Sequence, residues 1–249
     1  MKPYYQDEWV TIYCGDCREI LPQLEVTDAL ITDPVWPNGD TRLAGADRAV
    51  ELFREMCEII PSTIKRLVVQ LGGDTDPRLL SVIPLRWPFL RVVWLRYANP
   101  SYKGRLLLTS DVAYAYGTWP RYIKGRQVIG GEYTSTRADK LFMRHDGKHK
   151  NKLMNRTDIS ADLPHPCARR YEHVRWLVKQ FSDYEVIDPF AGSGTTLLAA
   201  KNMNRKAVGI EIKEEYCEVA VKRLSQMVMN IDTSPGPARA DEILTEPMF

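Results

Sequence analysis

Residues Val186–Thr196, VIDPFAGSGTT, decide how the rest of the chain is read. Val186 and Ile187 are strand residues, and Asp188-Pro189 ends the strand in a turn. The small-residue loop Ala191-Gly192-Ser193-Gly194 follows, and an apolar helical pattern starts at once through Thr196, Leu197, Leu198, Ala199 and Ala200. Strand, glycine turn and helix together let a loop backbone approach a ligand closely while a helix N-terminus points at it. Lys206–Ile210 (KAVGI) reads as a second strand closed by Glu211, and an acid there suits a ribose with free hydroxyls. The loop is neither G-x-G-x-x-G nor the phosphate-cradling G-x-x-x-x-G-K-[ST], because no Lys follows the second glycine. A nucleoside without a long phosphate chain fits it better.

DPFAGSGTT, followed by AAKNMNRKAVGIEIKEEYCEVAVKRL, resembles the S-adenosylmethionine-binding half of the amino-group DNA methyltransferases. The resemblance implies that Asp188, Phe190, Gly192, Ser193 and Gly194 hold the methionine end of that cofactor, that Glu211 holds its ribose, and that Pro189 and Thr195 belong to the cofactor set. Near the N-terminus, Trp9–Tyr13 (WVTIY) reads as a strand ending in Cys14-Gly15-Asp16-Cys17. "GDC" after a first strand resembles the family segment whose Asp contacts the cofactor adenine, so Asp16 and Cys17 join the cofactor set; a plain helix N-cap is the other reading of Asp16. Cys14-x-x-Cys17 has no second cysteine pair to complete a zinc site, and no metal is expected. Leu163-Pro164-His165-Pro166, ahead of the helical pattern Tyr171–Phe181, resembles the family segment lying over the cofactor methionine and adds His165; a loop histidine is the alternative. The run after it, Cys167-Ala168-Arg169-Arg170, departs from the family pattern.

The strand Ala29–Thr32 (ALIT) delivers Asp33-Pro34-Val35-Trp36. The lone pair of an exocyclic amino group is delocalised into its ring, so a site that alkylates it must accept both N–H groups and turn the nitrogen towards a tetrahedral nucleophile. Asp33 offers one acceptor and the Pro34 carbonyl a second. Trp36 offers a ring for stacking, about 1–3 kcal/mol per base. The tetrapeptide resembles the family's catalytic D-P-P-[YFW], with Val35 in place of the second proline. It precedes the glycine loop by about 150 residues, the motif order of the permuted class called β. The resemblance implies transfer of a methyl group to the N6 amino group of adenine in duplex DNA, the base being flipped out of the stack. Asp at position 33, where cytosine-N4 enzymes more often carry Ser, favours adenine. N4-cytosine chemistry, N6-adenine chemistry on RNA, and a catalytically silent partner with the same fold are the alternatives.

Alternating strand and helix patterns predict an α/β, Rossmann-like methyltransferase fold, with a mostly parallel central sheet and helices on both faces. Ala46–Ile60 is an amphipathic helix and Lys213–Asn230 another; Arg66–Leu71, Leu90–Leu95, Leu106–Leu108 and Val112–Gly117 are strands, with a short helix at Pro77–Ile83. Residues 1–95 form the catalytic half, 96–162 the remaining strands and a basic recognition insertion, 163–230 the cofactor half and 231–249 a loose tail. Between Arg96 and Arg156, thirteen Lys and Arg stand against four acids, leaving that stretch nine charges positive and the remainder seven negative. Tyr97, Tyr102, Tyr114, Tyr116, Trp119, Tyr122 and Tyr133 are interleaved with those charges. Basic and aromatic residues together are an electrostatic footprint for DNA phosphate with rings for stacking, although charge runs also occur on plain solvated faces.

Five scattered cysteines give no secreted disulfide framework, and no run approaches the length of a membrane span. The N-terminus has no apolar leader. The expectation is a cytoplasmic enzyme, of bacterial or phage type, that acts on DNA and on no membrane. A homodimer is common in the resembled class, but no distinct interface pattern marks one here.

Overall fold

The computed structural model describes residues 1–26, 28–103, 105–121 and 169–225. The strands are β1 (Tyr5–Gln6), β2 (Val10–Cys14), β3 (Ala29–Thr32), β4 (Arg66–Leu71), β5 (Phe89–Lys103), β6 (Leu106–Gly117), β7 (Glu185–Asp188) and β8 (Lys206–Glu211). The helices are α1 (Cys17–Ile20), α2 (Ala49–Ile59), α3 (Tyr171–Phe181), α4 (Thr195–Lys201) and α5 (Glu214–Ser225). The eight strands form one sheet in the order β1-β2-β8-β7-β3-β4-β6-β5. The run β2-β8-β7-β3-β4 is parallel and the outer pairings are antiparallel.

The central strands have the composition that this position demands. ALIT in β3 and RLVVQL in β4 are buried at every residue, as unbroken runs must be when helices cover both faces of a parallel sheet. One face is packed by Val174, Leu177, Val178 and Phe181 of α3, Leu197, Ala199 and Ala200 of α4, and Cys217, Ala220 and Leu224 of α5. Phe53, Met56 and Cys57 of α2 pack the other, with Ile20 of α1 and Leu79, Leu80 and Ile83 around the 3-10 turn Pro77–Val82.

The chain leaves β7 for α4 and returns in β8, on one side of the β7–β3 pair; it leaves β3 for α2 and returns in β4, on the other side. The two helices lie on opposite faces. The loops after β3 and β7 therefore diverge, and a crevice opens at the C-terminal ends of the central strands, where such sheets bind ligands.

Differences from the sequence reading are local. Leu106–Gly117 is one strand, not two, and its partner extends to Lys103, because pairing in a hairpin (Leu95 with Asp111, Arg96 with Ser110) carries polar residues along that have little strand preference. The helix expected over 46–60 begins as a 3-10 turn, Ala46–Arg48, after Gly45 in a left-handed conformation (φ 80°). The last helix is described as Glu214–Ser225. Nearly all of the proposed basic recognition insertion, and the tail 231–249, lie outside the described residues.

A buried polar node ties β3, β4 and β7 together below the crevice. Asp28, wholly buried, accepts hydrogen bonds from the backbone N–H groups of Asp183, Tyr184 and Glu185 at 2.5, 2.8 and 3.2 Å. Its other oxygen accepts from Arg66 Nη1 at 2.8 Å, and Arg66 Nη2 reaches Asp183 at 2.6 Å. Asp28→Ala takes one of two carboxylates from the buried Arg66 and leaves three N–H groups without their acceptor, so it is expected to cost about 3–5 kcal/mol. A urea unfolding curve with a lowered midpoint and unchanged slope checks this.

Candidate active site

Four neighbouring parallel strands carry an acid at or just past their C-terminal ends. Asp16 follows β2, Glu211 ends β8, Asp188 ends β7 and Asp33 follows β3. Parallel pairing puts all four on one edge of the sheet, and all four line a single cavity of about 240 Å³. Cys17, Pro34, Trp36, Pro189, Phe190, Gly192, Ser193 and Thr195 line it too. Of the residues expected at the site, Gly194 alone among those described is not in the wall, and His165 lies outside the described residues.

The glycine loop is shaped by backbone that side chains disfavour. Gly192 (φ 50°) and Gly194 (φ 76°) are left-handed, and Gly194 caps the N-terminus of α4. A Cβ on Gly194 would stand 2.8 Å from Cβ of Ala220 on α5. That glycine therefore serves helix packing behind the loop, whereas Gly192 faces the cavity. Glu211 fastens the loop to β8: Oε2 accepts from Gly192 N and Oε1 from Lys213 N, both at 2.9 Å. Burial raises the pKa of Glu211 above the usual carboxylate value. A carboxylate accepts about four hydrogen bonds, so Glu211 keeps acceptor capacity for a ligand hydroxyl.

Arg223 of α5, which carries no motif in the sequence, holds the loop from behind. Its Nη1 donates to the Ser193 carbonyl at 2.5 Å, to Ser193 Oγ at 2.9 Å and to Thr195 Oγ1 at 3.1 Å. Both hydroxyl oxygens are thus engaged by α5 as well as lying along the cavity. Nothing distinguishes Arg223 in sequence from a solvated helix cation. Asp188, 3% exposed, accepts at Oδ1 from Phe190 N (3.1 Å) and Thr32 Oγ1 (2.8 Å), and burial pushes its pKa up to about 6. Asp16 does cap α1, accepting from Arg18 N at 2.9 Å, and is also paired with the Arg18 guanidinium, which lowers its pKa. Cys17 is buried, and its thiol is pushed up to about 12 by that burial. It is a neutral wall of the pocket.

At the other end of the cavity, Trp36 Nε1 donates to the Gln70 carbonyl at 3.3 Å. The ring edge lies on Gly72, where a Cβ would stand 2.6 Å from Trp36 Cζ3. Arg169, just ahead of α3, donates from Nε to Asp33 Oδ2. Its guanidinium carbon lies 3.7 Å from the Trp36 ring centroid. The other Asp33 oxygen, Oδ1, is shielded from solvent and has no hydrogen-bond partner among the described residues. Burial pushes the Asp33 pKa up to about 6, opposed by Arg169 and reinforced by Asp111 and Asp188. An open acceptor beside an aromatic ring can bind the N–H of a planar amine. The glycine loop and Glu211, on the same cavity, can hold a nucleoside. Among the described residues, no group of three or more His, Cys, Asp or Glu is placed to hold a metal, and no helix is long and apolar enough to cross a membrane.

The family model described as DNA methylase (N6_N4_Mtase) matches residues 94–222, more than half of the chain. The Type II methyltransferase M.ScaI of Streptomyces caespitosus is 26% identical over 256 residues, covering 90% of this chain and 84% of that protein. The Type II methyltransferase M.BglII of Bacillus subtilis is 28% identical over 248 residues, covering 86% and 68%. Among solved structures, the M1.HpyAVI–SAM complex superposes with TM-score 0.58 at 20% identity, covering 87% of this chain and all of that one. The PvuII DNA methyltransferase, described as cytosine-N4-specific, superposes with TM-score 0.63 at 17% identity, covering 91% and 90%. These likenesses support the Rossmann-like methyltransferase fold.

Arg223→Met is expected to leave the fold intact and cost about 1–3 kcal/mol, because buried acceptors of the loop lose their donor. Thermal melting with and without S-adenosylhomocysteine checks both effects: a lower midpoint alone, and a smaller gain in midpoint from the nucleoside.

Proposed function

The chain belongs to the DNA methylase family, the N6/N4 amino-methyltransferases of DNA, and within it we propose that it methylates the N6 amino group of adenine with S-adenosylmethionine as methyl donor. What carries the reading is the open, shielded Oδ1 of Asp33 beside Trp36, in the same cavity as the glycine loop and Glu211. S-adenosylmethionine supplies an electrophilic methyl on a sulfonium; the C–S bond breaks as the C–N bond forms, leaving S-adenosylhomocysteine and releasing one proton from the nitrogen.

The residues share the remaining work. Gly192, with Pro189 and Phe190, forms the wall for the methionine end, and Ser193 and Thr195 are held there by Arg223. Glu211 takes the ribose hydroxyls and Asp16 the adenine of the donor, with Cys17 beside it. Gly194 supports that wall from behind. Asp33 accepts one N–H of the target amine and the Pro34 carbonyl the other, so the nitrogen lone pair leaves conjugation with the ring. Trp36 flanks the flipped base with the part of its ring that Arg169 leaves uncovered. Catalysis is then mostly positioning for an in-line displacement. A carboxylate at position 33, where cytosine-N4 enzymes more often carry Ser, supports adenine over cytosine.

The direct test is methyl transfer from labelled S-adenosylmethionine to unmethylated genomic DNA, with the nucleosides resolved by mass. N6-methyladenine is expected. N4-methylcytosine overturns the choice of base, and absence of product with S-adenosylhomocysteine binding intact overturns the reaction. Asp33→Ala should lower turnover by about 10²–10³-fold, the usual cost of one placed polar group at a reacting centre, while S-adenosylhomocysteine affinity is kept. Because Asp33 acts ionised, with a pKa of about 6, kcat/KM should hold at neutral pH and fall as the pH drops through about 6.

A further inference from the structure

Arg169 has no part in the roles assigned so far. It lies along the cavity wall, and among the described residues it meets Asp33, Trp36 and Asp111 at once. Nε donates to Asp33 Oδ2, the guanidinium plane covers the Trp36 ring at 3.7 Å, and Nη1 stands 3.6 Å from Asp111 Oδ2 on β6. A planar fork can hydrogen-bond one carboxylate, face a second at ion-pair distance and stack on a ring together; a lysine ammonium supplies the charge without the geometry. At 3.7 Å no base fits between guanidinium and ring, so the covered part of Trp36 is not where the target base lies. Oδ2 is also taken. Only Oδ1 of the carboxylate stays open.

We propose that Arg169 is a positioning residue of the transfer reaction: it fixes Asp33 so that Oδ1 is the acceptor offered to the amino N–H of the target base, and it keeps that carboxylate ionised. This rests on the catalytic role proposed for Asp33. Among the described residues, the charged groups facing Asp33 are Asp111 on β6, Asp188 at the end of β7 and Arg169 ahead of α3, and β4 contributes the neutral amide of Gln70. His173 of α3 lies near Asp111 and Arg169, but burial lowers its pKa to about 4, so it adds no charge at neutral pH. Two of the three charged neighbours are therefore anions, and burial acts in the same direction as they do. Arg169 is the cation that opposes all three effects. Without it, the Asp33 pKa rises towards neutrality, and a carboxyl O–H replaces an acceptor at the point where the amine must donate.

The test is the pH profile of single-turnover methyl transfer to genomic DNA for the wild type, Arg169→Met, Arg169→Gln and Arg169→Lys, with S-adenosylhomocysteine affinity measured for each. Met keeps apolar bulk on Trp36, and Gln keeps an N–H donor, so the two neutral variants guard against a simple packing failure in either. For both, the acid limb is expected to move up by at least about one pH unit, a tenfold loss on that limb, with most of the rate regained in alkali. Lys should hold the limb near its wild-type position at a reduced rate. An unmoved limb, or equal loss at every pH with S-adenosylhomocysteine affinity intact, overturns the proposal. So does a gain at every pH, which would make Arg169 a stand-in that the base displaces. Full turnover in Asp33→Ala overturns the role of Asp33 itself; a dead Asp33→Ala with an unmoved limb in the Arg169 variants overturns only the inference about Arg169.

Discussion

Thr32 Oγ1 donates to Asp188 Oδ1 across 2.8 Å in the buried floor of the crevice. The two residues are far apart in sequence, one the last of β3 and the other the last of β7. The bond fixes the relative height of the two strand ends, and the whole crevice depends on that height. The backbone leaving Thr32 carries Asp33 and Trp36 to one end of the cavity. The backbone leaving Asp188 forms the glycine loop, and the bonded Asp188 oxygen also accepts the Phe190 N–H. A slip between β3 and β7 would separate an amine-binding group from a nucleoside-binding loop. The Asp28–Arg66–Asp183 node anchors the opposite ends of β3, β4 and β7, so the central strands are tied at both ends of the sheet.

Placing four carboxylates on one sheet edge has an electrostatic cost, and the surroundings of each meet it differently. Asp16 is paired with Arg18 and stays acidic. Glu211 accepts from the backbone N–H groups of Gly192 and Lys213, and Asp188 from the hydroxyls of Thr32 and Thr196 and the Phe190 N–H. Asp33 has an arginine on one oxygen and, among the described residues, no partner on the other. The carboxylate with an unfilled acceptor is thus the one beside the aromatic ring. An unfilled buried acceptor is unfavourable for folding, and such sites are where proteins keep polar groups for a ligand.

Much of the site was legible because its parts are local. VIDPFAGSGTT gives strand, turn and helix within eleven residues, and the acid ending KAVGI follows from the same pattern. Asp33-Pro34 with Trp36 is read from one strand end. Arg223 and Arg169 were not legible as parts of the site. Each is a long cation whose role is set by which surface of the sheet its helix meets, and a run such as V-K-R-L or C-A-R-R carries no mark of that. Gly194 was read as a position for close ligand approach, yet its missing Cβ makes room for Ala220. The same left-handed backbone serves either purpose, and only the neighbour across the gap tells them apart.

The sequence by itself determined the elements and their chemistry: which runs are buried strands, where each strand stops, and that each stop carries an acid or a glycine turn. Local composition and periodicity encode these, since they depend on neighbours only a few residues away. The tertiary structure alone decided that β2, β8, β7 and β3 lie side by side and parallel, that Thr32 meets Asp188, and that Arg169 covers Trp36 while leaving Asp33 Oδ1 open. Those are contacts between residues separated by 130 positions or more for Arg169 with Asp33 and Thr32 with Asp188. They come from how the whole sheet packs its two layers of helices, which no local pattern records.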